Sequence, residues 1–255
     1  MKALITGASS GLGREFAYIL SDMGYDLILV ARRKTRLEQL KKDLKTNVEV
    51  INMDLASTFN CVKLHDKLKN EAIDIVINNA GFGMVGRFTD TKLEKEMDMI
   101  DLNIKAVHTL TKLFLIDMNK RKKGYILNVA SSAAFTPGPL MDTYYATKSY
   151  VYNLTLGIKE ELRKEGSNIY IGCLCPGPVD TEFNKVAKVE FSIKSLQPDY
   201  VAKYTINKMF KRKSVIIPSM KMKLTYIATK ILPLNILLKI TYGIQKSKLK
   251  WVYSR

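Results

Sequence analysis

The sequence predicts an α/β protein: a doubly wound parallel sheet of about seven strands, helices on both faces, and a basic helical C-terminal extension. Three observations lead there. Short apolar runs alternate with helical patterns along most of the chain. The first run passes straight into a glycine-rich turn and then a helix. Short polar segments stand at the ends of the later runs, where sheets of this kind bind ligands.

The elements follow in order. Met1–Thr6 reads as a buried strand, Gly7-Ala8-Ser9-Ser10-Gly11-Leu12-Gly13 as a tight loop, and Arg14–Met23 as a helix with Phe16, Ala17, Ile19 and Leu20 on one side. Gly7 can take positive φ. Gly11 leaves room for a pyrophosphate, and Gly13 lets the helix pack close to the sheet. The backbone N–H groups of the loop, with Ser9, Ser10 and Leu12, then meet the positive end of the helix dipole, which suits a phosphate. Leu27–Ala31 is a second strand, and Leu37, Leu40 and Leu44 mark a helical face. Val48–Ile51, Ile73–Ile77, Tyr125–Val129 and Ile169–Cys175 are further strands, with Ser214–Ile217 a short last one. The helices between them carry Val62, Leu64 and Leu68, then span about Thr91–Met118 and Asp142–Lys164, with one more before the last strand. Such alternation implies right-handed crossovers. Residues 1–220 read as one domain, with a loop over about 180–197, and residues 221–255 as a basic amphipathic helical tail packed on it.

The formal charge of +17 is uneven: after Asp199 no acidic residue occurs, while thirteen Lys and Arg follow. A basic face suits an anionic partner. With no nucleic-acid-binding motif, nucleic acid is not expected. No charge-free apolar stretch is long enough to span a bilayer. Met1 leads directly into the first strand, so no targeting peptide and a cytoplasmic location are expected. Cys61, Cys173 and Cys175 read as reduced core residues. With only His65 and His108, no metal site is expected.

Asn52-Met53-Asp54-Leu55, Asn78-Asn79-Ala80-Gly81, Ala130-Ser131-Ser132 and Pro176-Gly177-Pro178-Val179-Asp180-Thr181 close successive strands. Between the last two lies Tyr144-Tyr145-Ala146-Thr147-Lys148. Tyr144 and Lys148 share a helix face. A cation about 4 Å from a phenol at an effective dielectric of ~20 favours phenolate by ~4 kcal/mol, roughly three pKa units. That brings a phenol toward neutrality, where proton transfer is most efficient. A serine-hydrolase reading fails, because no Gly-x-Ser-x-Gly elbow surrounds Ser131.

These segments, in this order over residues 1 to about 182, resemble the classical short-chain dehydrogenase/reductase family. The family's TGxxxGxG loop reads Thr6–Gly13, its NNAG stretch Asn78–Gly81, its YxxxK pair Tyr144 and Lys148, and its PG motif Pro176-Gly177. The resemblance implies a Rossmann-type fold and hydride exchange between a nicotinamide and a carbonyl or secondary alcohol. It makes Asn103, Ser131, Tyr144 and Lys148 catalytic: Tyr144 as acid/base, Ser131 holding the substrate oxygen, Lys148 on the ribose and the phenol, and Asn103 on a relay water. Tyr145 lacks a lysine four residues on and reads as a packing residue. By the same resemblance Asp54 and Leu55 meet the adenine, Asn79, Ala80 and Gly81 line the adenosine side, and Pro176, Gly177, Val179 and Thr181 shape the nicotinamide pocket.

The second strand ends in Ala31-Arg32-Arg33, with Ala31 where an NAD-binding acid would stand. Arg32 suits a 2′-phosphate, so NADP(H) is expected over NAD(H). Arg33 either assists or faces solvent. Many NADP-binding members carry Lys or Arg just before the second glycine of the loop; here it is Ser10.

Residues 180–197 carry Phe183, Val186, Val189, Phe191 and Ile193, and Phe135, Pro137, Pro139 and Met141 approach from the other side. Phe135, Met141 and Phe183 are therefore candidate contacts for a hydrophobic substrate. The tail mixes Leu and Ile with Lys, interrupted by Pro233. It could lie on an anionic membrane, pack over the lid, or cross a dimer contact. Family habit implies a homodimer or homotetramer. The alternatives to an enzyme are a non-catalytic NADP-binding regulator and a membrane-peripheral protein acting through its tail.

Overall fold

Every strand of the sheet runs parallel to its neighbours, and the central strands are buried on both faces because helices cover both. A computed structural model of the chain describes residues 1–187 and 195–249. The strands are β1 (Lys2–Thr6), β2 (Asp26–Ala31), β3 (Val48–Asn52), β4 (Ile75–Asn78), β5 (Tyr125–Val129), β6 (Tyr170–Leu174) and β7 (Val215–Ile216). Their order is β3-β2-β1-β4-β5-β6-β7. The order reverses between β1 and β4, and a crevice opens there at the carboxyl ends of the strands.

Strand alternation sorts the core into two halves. Ala3, Ile5, Leu27 and Leu29 face α1 (Gly11–Asp22), α2 (Lys34–Asp43) and α8 (Pro198–Phe210) through Phe16, Leu20, Leu37 and Met209. Leu4, Ile28, Val30 and Val76 point the other way, onto α3 (Thr58–Leu68), α5 (Val107–Arg121) and α6 (Asp142–Lys164) through Leu64, Phe114 and Leu162. A helix α4 (Leu93–Ile100) precedes α5, and a short α7 (Glu182–Val186) follows β6.

One feature of the long helix is not visible in its sequence. Between α4 and α5, Asp101–Ala106 is π-helical. Such single-turn bulges collect at functional sites, and this one carries Asn103.

The extension folds as two helices, α9 (Met220–Ile231) and α10 (Leu234–Leu249), separated at Pro233. Ser219 caps α9 by accepting from the Met222 N–H. Pro233 has no N–H to continue α9, and Leu232 is extended before it. No helix among the described residues is long and apolar enough to cross a membrane. Cys61, Cys173 and Cys175 are free and buried.

Candidate active site

The glycine turn is held from the neighbouring strand. Thr6 Oγ1 accepts from the Asn79 and Ala80 N–H groups at 3.0 and 3.1 Å, and Asn79 Nδ2 donates to the Thr6 carbonyl at 3.0 Å. Gly7 sits at φ +66°, and a Cβ there would lie 2.8 Å from Ala80 Cα. Gly13 is not on the crevice. Its missing Cβ would fall 2.4 Å from the Gly7 carbonyl oxygen, so its part is close helix–strand packing. Ser10 precedes α1 without a side-chain cap, and the first turn has no acid. The amides at that helix start therefore meet no internal anion.

A cavity of about 640 Å³ runs from this turn across the strand ends to α10. Gly7, Ser9, Ser10, Gly11 and Leu12 line one end with Arg32, Arg33, Asp54 and Leu55. Asn79, Ala80 and Gly81 line the middle, and Ser131, Tyr144, Lys148, Pro176, Gly177, Val179 and Thr181 close round the other side with Met141 and Phe183.

At the centre Lys148 is only 4% exposed, and its Nζ donates to the Val129 carbonyl at 3.0 Å. It lies 5.8 Å from the Tyr144 ring centroid. Burial lowers the Lys148 pKa to about 8. Burial also pushes the Tyr144 phenol above its ordinary value, against an opposing hydrogen bond from Ser131. The lysine-driven drop expected from helix spacing is thus absent from the free protein: desolvation outweighs a cation whose bond goes to the backbone. The consequence is a phenol that stays protonated at neutral pH.

Asn103 is fully buried and does not line the cavity. The π-turn aims its amide at the chain after β4: Oδ1 accepts from Phe82 N–H at 3.1 Å, and Nδ2 donates to Phe82 O at 2.9 Å and Thr147 Oγ1 at 3.1 Å. Gly81 lies between this amide and the lysine. A Cβ there would stand 2.8 Å from Asn103 Oδ1 and 3.4 Å from Lys148 Nζ. Beneath, Asn128 Oδ1 accepts from Asn78 Nδ2 at 2.9 Å and its Nδ2 donates to Thr155 Oγ1 at 3.0 Å, pinning β4, β5 and α6 together.

Phe135 is placed elsewhere. It ends a 3-10 turn, Ser132–Phe135, and its ring packs 4.7 Å from Tyr226 and 5.6 Å from Tyr152, away from the cavity. The turn points it toward α9, where it packs against the apolar cluster around Val151, Tyr152 and Met222. Phe183 does meet the site, with its ring 5.5 Å from that of Tyr144. Val189, Phe191 and Ile193 lie outside the described residues.

Three contributions were not identified residue by residue from the sequence. Leu237, Ile240, Thr241 and Ile244 of α10 form a wall of the cavity, as do Met222, Thr225 and Thr229 of α9. Gln245 of α10 donates to the Tyr145 hydroxyl, so Tyr145 is a cavity residue as well as a packing one. Glu182, at the start of α7, pairs with Arg33 at 2.7 Å and with Arg36 at 2.5 Å. Arg33 also reaches the Ser9 and Ser10 hydroxyls, the latter at 2.7 Å. Arg32 stands 3.6 Å from Asp54. Among the described residues no cluster of His, Cys, Asp and Glu is arranged to hold a metal.

The model of the short chain dehydrogenase family matches residues 1–190, three-quarters of the chain and all of the strand-end segments above but for the last strand. The chain belongs to the short-chain dehydrogenase/reductase family. It is an oxidoreductase of that family, similar to an uncharacterised oxidoreductase of Staphylococcus epidermidis at 34% identity over 184 residues, 70% of this chain and 78% of the relative. It is also similar to a very-long-chain 3-oxoacyl-CoA reductase of Pyrenophora tritici-repentis, at 35% identity over 73% of this chain and 57% of that one. Among solved structures, a Sphingobium yanoikuyae short-chain dehydrogenase in complex with NADPH superposes with TM-score 0.82 at 30% identity, covering 90% of this chain and 92% of that one. A Burkholderia phymatum member in complex with NAD, 23% identical with TM-score 0.81 over 89% and 91%, shares the fold. Within this short-chain dehydrogenase/reductase, residues 220–249 lie beyond the matched segment, yet they complete the cavity.

Proposed function

We propose that the protein is an NADP(H)-dependent reductase of apolar carbonyl compounds. The observation that carries this reading is one continuous cavity with Ser131, Tyr144 and Lys148 at its centre, a phosphate cradle at one end and apolar helices at the other. A non-catalytic regulator would need no such trio.

The cradle fits a dinucleotide. Gly7 and Gly11 supply a side-chain-free approach, and α1 offers its uncapped start. Lys148 and Thr181 would hold the ribose and carboxamide of the nicotinamide half, and Asp54 and Leu55 the adenine. A bound reduced nicotinamide would supply a hydride to the carbonyl carbon. Ser131 would donate a hydrogen bond to the carbonyl oxygen, where charge develops. Tyr144, kept protonated by burial, would give that oxygen its proton. Lys148 would keep a positive charge beside the developing phenolate.

The preference for NADP(H) rests on charge. Arg33 lays its guanidinium on the Ser9 and Ser10 hydroxyls. It thereby brings a cation to the part of the loop where many NADP-binding relatives carry a basic residue and this chain has Ser10. Arg32 stands beside it, and a guanidinium pair suits a phosphomonoester. The apolar substrate rests on the lining: Met141, Phe183, Leu237, Ile240 and Ile244 face the catalytic trio's side of the cavity.

The test is a screen of aliphatic and alicyclic ketones and aldehydes of graded chain length, following NADPH absorbance with purified protein. Turnover that rises with chain length supports the reading. No turnover of any carbonyl, with NADPH shown to bind, would overturn it.

A further inference from the structure

Helices α9 and α10 have two apolar sides. One lines the cavity through Met222, Leu237, Ile240 and Ile244. The other is exposed. Of the twenty large apolar side chains exposed among the described residues, ten lie between Met220 and Ile244. Leu224, Ile227, Ile231, Leu234, Ile236 and Tyr242 do not line the cavity, and Ile231 is 75% exposed. So many exposed apolar side chains on two adjoining helices mark an interaction surface.

The charge on the same helices chooses the partner. Residues 221–255 carry eight Lys and Arg and no Asp or Glu. Six of those lysines belong to α9 and α10, and Lys221, Lys223, Lys230, Lys239 and Lys246 among them flank the exposed Leu and Ile. A protein interface that charged would need an acidic counter-surface, and a second copy of this strap has none to offer. A bilayer bearing anionic headgroups satisfies both features: headgroups take the ammonium groups, and the interfacial zone takes the aliphatic side chains.

We infer that α9 and α10 dock the protein on an anionic lipid surface through Leu224, Ile227, Ile231 and the flanking lysines, and that the cavity receives its apolar carbonyl compound from that side. The second half rests on the reductase reading above; the first does not. The strap is a single layer of helix between lipid and catalytic groups. Ile240 and Ile244 line the cavity and are also about half exposed, 50% and 48%, which puts the cavity rim on the same helix as the patch.

The experiment is flotation of the full chain with vesicles of phosphatidylcholine alone and of equal parts phosphatidylcholine and phosphatidylglycerol. The wild-type protein is expected to float with the second and not the first. Lys221→Glu/Lys239→Glu should lower partitioning about thirtyfold or more. Leu224→Ser/Ile227→Ser/Ile231→Ser should lower it about tenfold or more, with unchanged circular dichroism. Neither variant touches the cavity, so both should reduce a short, water-soluble ketone at the wild-type rate. With a long-chain ketone dissolved in the vesicles, the apolar triple variant should lose about tenfold in kcat/KM, in step with its lost partitioning. Wild-type protein that ignores anionic vesicles, or a triple variant that floats undiminished, would overturn the docking. So would sedimentation showing that the triple variant splits a dimer, because a second copy would then cover this face. Flotation needs no turnover, so an inactive protein that floats would count against the reductase reading alone.

Discussion

The Lys148 ammonium nitrogen lies 5.8 Å from the centre of the Tyr144 ring and bonds not to the phenol but to the Val129 carbonyl, 3.0 Å away. The free protein therefore holds a cation in its core with one backbone partner. That has a cost in stability, and the cost depends on pH.

Lys148→Met is expected to stabilise the cofactor-free protein. The depressed pKa of about 8, against the ordinary 10.5, corresponds to about 3 kcal/mol of disfavoured charge, less ~1 kcal/mol for the lost hydrogen bond. Below pH 8 both folded and unfolded chains carry the charge, and the penalty is complete. Between about 8 and 10.5 the folded chain loses its proton while the unfolded chain keeps it, so wild-type stability rises with pH. The gain from methionine should be about 2 kcal/mol near pH 7 and should shrink as pH approaches 10.5. Denaturant titrations across this range check both size and direction.

Arg33 and Glu182 make a second prediction. Glu182 holds the guanidinium that a 2′-phosphate would occupy, and its own pKa is lowered by Arg33 and Arg36. Arg33→Ala should weaken NADPH about tenfold to a hundredfold and leave NADH nearly unchanged, since charge-assisted hydrogen bonds are lost only for the phosphate. Glu182→Gln removes a competing anion and should tighten NADPH selectively. Calorimetric titration of each variant with both nucleotides measures this without any turnover.

Asn103 makes a third. Its fully buried amide satisfies both backbone groups of the half-buried Phe82. Asn103→Ala should cost about 2–4 kcal/mol by orphaning them. The loss should appear in chemical denaturation of the free protein, before any cofactor is added. An Asn103→Ala protein as stable as wild type would remove Asn103 from this role.

The parts of this site that were legible in the sequence are local. The glycine turn, the strand-end segments and the Tyr144–Lys148 spacing each lie within a few residues, where helix and strand periods fix the geometry. The alternation of apolar runs likewise anticipated the order of elements from β1 to β7. What escaped depends on distant partners or on a broken period. Gln245 meets Tyr145 a hundred residues away. Glu182 meets Arg33 across the crevice. The π-turn at Asp101–Ala106 interrupts a helix whose pattern looks regular, and it carries the buried Asn103. Phe135 was misplaced because a 3-10 turn redirects its side chain toward Tyr226. Helix spacing alone leaves the Tyr144–Lys148 pair partly solvated. Burial reverses the sign of the phenol's shift in the free protein.

The central claim is that Tyr144 donates the proton. The measurement is turnover of Tyr144→Phe with the best carbonyl acceptor, followed by NADPH absorbance, beside calorimetric binding of NADPH to the same protein. The ring and its packing on Phe183 are kept, so NADPH affinity should stay within about threefold, while kcat falls about a hundredfold to ten-thousandfold with the general acid gone. A phenylalanine variant that turns over at the wild-type rate would contradict the account.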